Sequence, residues 1–212
     1  MLRGRSLLAA ASLVICVFLA GPPAARAGEG DAGQFLVALS EKAISQLSDQ
    51  SIAESERRLR FRTLLDDNFD MPTIGRFVLG AFARRATPEE RAAFLEAFRD
   101  VLTQRFLPYF RDYKGEAFQI GEVKPDRTNP KLTLVVSQIF LADGSPLPVA
   151  WRVARRGEGY KIVDVVAEGV SLALTFRSEY SSVLKQSNGD IAELTTRLRQ
   201  KLASSSFAPA TN

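Results

Sequence analysis

The feature that most constrains this chain is a change of period just after Gly115. Before it, apolar residues recur at helical spacing; after it they alternate or cluster as in strands. Residues 117–123 read as a short strand and 125–130 as a turn. Residues 131–140 read as a strand, with Leu132, Leu134, Val136 and Phe140 alternating against Thr133, Ser137 and Ile139. Ala142-Asp143-Gly144-Ser145 holds the Asp-Gly pair that hairpin turns favour. Val149, Trp151 and Val153 then alternate with Arg152, and Arg155-Arg156-Gly157-Glu158-Gly159 turns into a fourth run that begins at Tyr160. Strands joined by turns this short must pair antiparallel with their neighbours. Helices first and a meander afterwards predict an α+β fold built on a four-stranded antiparallel sheet.

The helical half has readable boundaries. Phe35, Leu36, Leu39, Ala43 and Leu47 make a stripe over about 31–49. Ser51-Ile52-Ala53-Glu54 matches a capping box and predicts a helix with Phe61, Leu64, Leu65 and Phe69 on its apolar side. Asp70 is placed to cap a short helix with Pro72 in its first turn and Ile74, Phe77, Val78 and Phe82 inward. Thr87-Pro88-Glu89-Glu90 is the clearest local signal: a cap, a proline where a missing N–H is harmless, and a box-completing glutamate. The helix that follows carries Phe94, Leu95, Phe98, Leu102 and Phe106 on one side, and Pro108 predicts a kink. A last helix spans about 190–202, with Ile191, Leu194, Leu198 and Leu202 on one side.

The amino terminus sets the compartment. Arg3 and Arg5 precede an apolar run over 7–20, and Ala25-Arg26-Ala27 offers small residues at the positions a signal peptidase reads. This predicts a cleaved export signal at 1–27, one domain over 28–203 and a disordered tail at 204–212. Cys16 and three arginines leave with the signal, so about 185 residues remain with 25 basic and 24 acidic side chains. A net charge of +1 gives no case for nucleic acid. The remaining chain has no Cys and no His. It therefore folds without disulfides and lacks the commonest zinc ligands, thiol nucleophiles and a histidine base. No metal or cofactor is expected.

The stretch Tyr160–Leu184, YKIVDVVAEGVSLALTFRSEYSSVL, gathers the most apolar surface. It opens as an Ile- and Val-rich strand interrupted by Asp164, passes a corner at Glu168-Gly169, and continues in a run that fits both helical and strand spacing. Helix from about Ser171 is favoured.

Together these segments resemble the MlaC-type family of periplasmic phospholipid shuttles, also known as toluene-tolerance or ABC-transporter auxiliary proteins. The matching residues are Gly75-Arg76-Phe77-Val78-Leu79-Gly80, Ala86-Thr87-Pro88-Glu89-Glu90-Arg91 with Phe94 and Phe98, then Tyr113, Gly115 and Trp151-Arg152. The most specific run is Asp164-Val165-Val166-Ala167-Glu168-Gly169-Val170-Ser171, and Gly189-Asp190 also belongs. A sister group associated with hopanoid synthesis is similar. The resemblance implies a twisted sheet wrapped by helices into a cone, like nuclear-transport-factor-type folds, around a deep apolar pocket. It further implies a monomeric periplasmic carrier, without cofactor or chemistry. Its partners would be a phospholipid, an outer-membrane lipoprotein–porin complex, and an inner-membrane ABC transporter with its membrane-anchored lipid-binding subunit.

The expected pocket wall is Phe77, Val78, Phe98, Leu134, Val136, Val149, Trp151, Val163, Val165 and Leu174. Sequence leaves open which strand face is pocket and which packs on helices. Asp164, Glu168, Gly169 and Ser171 are expected to be structural, and Arg84-Arg85 and Arg155-Arg156 are candidate contacts with anionic partners. Two rival readings remain. One is a cone-fold isomerase using Asp164 as base, with Glu168 and tyrosines nearby. The other is an adaptor whose apolar runs are all core.

Overall fold

The computed structural model describes residues 29–204 apart from 116 and 142. The expected export signal and almost all of the expected tail lie outside the described residues. Four helices come first: α1 (Glu29–Leu47), α2 (Glu54–Asn68), α3 (Met71–Leu79) and α4 (Pro88–Arg111), with a 3₁₀ turn at Gly80–Arg84. Five strands follow: β1 (Ala117–Pro125), β2 (Leu132–Phe140), β3 (Pro146–Arg156), β4 (Gly159–Ala167) and β5 (Val170–Ser171). Helices α5 (Leu172–Gln186) and α6 (Ile191–Ala203) close the chain.

The caps explain most of these boundaries. Asp70 accepts the Thr73 N–H at 3.0 Å and starts α3. Thr87 and Glu90 form the reciprocal capping box at the start of α4, with distances of 3.1 and 2.8 Å. Asp190 accepts from Glu193 N–H at 2.9 Å and starts α6. The box expected at Ser51 does not form. Ala53 is the N-cap of α2 and has no side-chain cap bond, because Asp49 captures both the N–H and the hydroxyl of Ser51. Buried Arg57 of α2 instead donates to the carbonyls of Leu47 and Asp49, so one helix closes the C-terminal end of another. On α3, Ile74 and Val78 point inward, but Phe77 is 40% exposed. Helix α4 runs through Pro108 to Arg111.

The sheet is an antiparallel meander in the order β1-β2-β3-β4-β5. The expected four strands are thus joined by a fifth of two residues. Val170 and Ser171 pair with Ala167 and Val166 across a two-residue turn. Glu168 (φ 50°) and Gly169 (φ 81°) are both left-handed, the pairing that a tight hairpin of this hand requires. Two bulges break the alternation of faces. One lies between Ile120 and Val123 of β1. The other sets Arg152 opposite Asp164 but Val153 opposite Ile162, leaving Val163 unpaired in the register. The free edge of β4 is covered near Ile162, whose carbonyl accepts from Asp70 N–H at 2.9 Å beside a bridge to Phe69.

Two apolar clusters hold these layers. The larger joins α2, α3, α4, α5 and α6 with the C-terminal half of α1, and includes Phe94 stacked on Phe98 at 5.6 Å. The smaller packs Ala32 and Leu36 of α1 on Val135, Val153 and Ile162 of the sheet. Leu39 and Phe69 touch both clusters, so α1 and the α2–α3 junction tie helices to sheet.

Candidate functional site

The register decides which strand residues share a face. Val135 pairs with Trp151, and Trp151 with Val165; Ser137 pairs with Val149, and Val149 with Ala167. These residues, with Val153, Ile162, Ile120 and Val123, form the inner face beneath α1. Val135, Ser137, Val149, Val153 and Ile162 are buried there, whereas Ile120, Val123, Trp151 and Val165 are only half-buried. Leu134 and Val136 lie on the opposite face with Arg152, Asp164 and Val166, and they too are half-buried.

The inner wall consumes its own polar groups. The Trp151 indole N–H donates to Ser137 Oγ at 2.9 Å, and the Ser137 hydroxyl donates to the Val149 carbonyl at 2.9 Å. The indole ring, edge-on to Phe118 at 6.4 Å, is therefore offered as apolar surface with its polar end satisfied. Beside this wall an open apolar groove of about 390 Å³ runs between α1 and β1. It is lined by Gly33, Gln34, Val37, Ala38, Glu41, Ile120 and Val123. Gly33 faces Val123 and Ile120, and a Cβ there would make ordinary contact with them, 3.4 Å from Val123 Cγ2.

A polar corner stands on the other face. Arg152 donates through Nε to Asp126 at 2.9 Å and through Nη1 to Asp164 at 2.6 Å. Asp164 also accepts the Ser171 hydroxyl at 2.6 Å and the Ala173 N–H at 3.1 Å, while Ser171 Oγ accepts from Leu174 N–H at 3.1 Å. Both oxygens of Asp164 are thus engaged in holding the first turn of α5. Burial alone raises the Asp126 carboxyl. Hydrogen bonds from Thr128, Arg152 and the backbone of Asn129 outweigh it and bring its pKa to about 2. Asp126 was not among the residues expected from sequence. Its signal was the Asp-Arg-Thr-Asn turn, in which an Asp side chain binds the backbone two and three residues on.

The ten residues expected to line a pocket therefore divide. Val149, Trp151 and Val165 share the inner face. Leu134 and Val136 sit on the outer face, and Val163 is the bulged residue between Ile162 and Asp164. Val78 and Phe98 are fully buried in the helical cluster, while Phe77 and Leu174 are 40% and 55% exposed. The groove residues Val37, Ile120 and Val123 were missed: Val37 lies off the apolar stripe of α1, and nothing in the spacing of Ile120 and Val123 tells an edge strand from a covered one. Of the arginine pairs, Arg156 is committed to Asp70 at 2.8 Å, and Arg155 lies over Tyr160; Arg84 and Arg85 are exposed.

A profile of the MlaC protein family matches residues 38–200. The chain belongs to the MlaC family. The sequence is 23% identical over 110 residues to the toluene tolerance protein ttg2D of Pseudomonas putida, covering 52% of this chain and 50% of that one. It is 23% identical over 128 residues to the intermembrane phospholipid transport system binding protein MlaC of Haemophilus influenzae, covering 59% of each. The alignments thus span about half to three fifths of these relatives. A solved phospholipid-binding protein from Ralstonia solanacearum, determined in complex with a phospholipid, superposes with a TM-score of 0.72 at 17% identity. That match covers 83% of this chain and 99% of that one. At such identity the likeness shows a shared MlaC-type fold. Among the described residues no helix is long and apolar enough to cross a membrane, and no group of three or more His, Cys, Asp or Glu could hold a metal ion.

Proposed function

We propose that the protein is a periplasmic carrier of glycerophospholipid. It takes the lipid by its acyl chains and passes it between an outer-membrane lipoprotein–porin complex and an inner-membrane ABC transporter. The observation that carries this reading is the inner wall of the sheet. Trp151, Val165, Ile120 and Val123 are apolar and half-accessible under α1, and the Trp151 indole N–H is spent on Ser137, whose hydroxyl is spent on the Val149 carbonyl. A phospholipid has on the order of 30 methylenes, each worth about 0.8 kcal/mol on transfer from water, so a carrier must hide nearly all of them. A wall without polar demands meets that need, and it releases the lipid more readily than one that grips the head group. The groove between α1 and β1 supplies an entrance of the right chemistry. At about 390 Å³ it sits near the lower end of small-molecule sites, so a full diacyl cargo requires α1 to ride further from the sheet.

The geometry gives the isomerase alternative little support. A general base needs a free lone pair facing a substrate, and Asp164 accepts from Arg152, Ser171 and Ala173 at once. The test is transfer of a fluorescent phosphatidylethanolamine from donor to acceptor vesicles. The protein should accelerate transfer, and Val165→Trp should abolish the acceleration while leaving the circular dichroism spectrum unchanged. Folded wild-type protein that leaves the transfer rate at the protein-free value would overturn the reading.

A further inference from the structure

Helix α3, the 3₁₀ turn after it and α5 pack together, and their outer surface differs from the rest of the molecule. No Asp or Glu lies between Met71 and Ala86, a span that contains Arg76, Arg84 and Arg85. Helix α5 adds Arg177 and Lys185 against one acid, Glu179. Several arginines elsewhere find carboxylates, as Arg60 does with Glu56, Arg62 with Glu96 and Asp100, and Arg99 with Asp66, although Arg105, Arg127 and Arg199 do not among the described residues. Arg84, Arg85 and Arg177 have no ion pair among the described residues, and Arg76 reaches only the Thr73 hydroxyl.

Exposed apolar side chains are set between these cations. Phe77 follows Arg76 and is 40% exposed, Leu174 is 55% exposed, and Val170 is 57% exposed. Leu174 and Arg177 are one turn apart on α5. The Arg177 guanidinium lies 5.0 Å over the Phe77 ring and flat against Gly80, where a Cβ would stand 3.3 Å from its Nε. Single exposed apolar residues are ordinary. Their interleaving with arginines that have no ion pair among the described residues makes a face that is apolar and cationic at once. A bilayer surface accepts both at once, with apolar side chains among the acyl boundary and arginines at the phosphates.

We propose that the α3–α5 face docks the protein on an anionic phospholipid surface, with Phe77, Leu174 and Val170 as the shallow insertion and Arg76, Arg84, Arg85 and Arg177 as the phosphate contacts. The test is flotation of the purified protein with vesicles of phosphatidylcholine alone or mixed with phosphatidylglycerol. Binding is expected on the mixed vesicles, falling as salt rises. Arg84→Ala with Arg85→Ala should weaken it roughly twenty-fivefold, the product of the roughly fivefold that each arginine contributes near an anionic surface. Leu174→Asp, far from the Gly189 turn that Arg85 touches, should weaken it independently. Arg127→Ala with Arg199→Ala, an equal loss of charge on other elements, should leave it intact. The proposal is overturned by absence of binding to the mixed vesicles or by equal losses in both double variants. It is also overturned if the Arg84/Arg85 variant keeps vesicle binding and loses only an acidic protein partner. The carrier reading is tested separately, by the lipid extracted from the same preparations.

Discussion

Arg152 stands between two carboxylates, and what each contributes can be separated by experiment. Asp164 links Arg152 to the start of α5, so Asp164→Asn loses a charge-assisted bond while keeping its shape. We expect a loss of about 2–3 kcal/mol in chemical denaturation, with lipid still present in the extract. A variant that kept full stability and lost the lipid would contradict a structural role. Asp126 gives a pH signature. Its folded pKa of about 2 lies below the ordinary value of 3.8, so the stabilisation it brings is complete above that value. It fades as pH falls from about 4 through 2, when the folded carboxylate takes up its proton. Acid titration of stability should therefore be shallower over that window in Asp126→Asn than in the wild type. Identical slopes would show that Asp126 is not perturbed.

At the scale of elements, the boundaries legible in sequence are those set by local chemistry. Thr87 and Glu90, Asp70, Asp190 and Ser171 each mark a helix start because the bonds they make reach only three residues. Thr87→Ala should destabilise by about 1 kcal/mol in thermal unfolding; no change would mean the box is not formed in solution. Ser51 misled because Asp49, two residues back, competes for the same groups, and a pattern of spacing does not rank competitors. The Glu168-Gly169 corner was legible as a corner but not as a hairpin turn, since β5 is only two residues long. Its geometry makes an unusual prediction. Glu168 holds φ at 50°, which Asn tolerates better, so Glu168→Asn should hold or raise stability by up to about 1 kcal/mol. A clear loss of stability would assign the Glu168 side chain a role that its exposure does not suggest.

At the scale of the whole molecule, α+β class and the meander followed from period and turn length alone. The faces did not. The bulge that leaves Val163 unpaired puts Ile162 and Asp164 on opposite sides, although they are two residues apart. Strict alternation would have placed them together. The same shift lets Val165 meet Trp151 on the inner wall while Asp164 meets Arg152 outside. Phe98 and Val78 were read as wall because an aromatic or aliphatic stripe looks the same whether it meets other side chains or a ligand; here it meets other side chains. The central claim, that the inner wall exists to hold acyl chains, is tested most directly by native mass spectrometry beside lipid extraction, on protein purified without detergent from a lipid-replete host. The account predicts a mass increment of one diacyl phospholipid, present in the wild type and missing from folded Val165→Trp. A wild-type mass equal to the bare polypeptide, with no phospholipid in the extract, would contradict it.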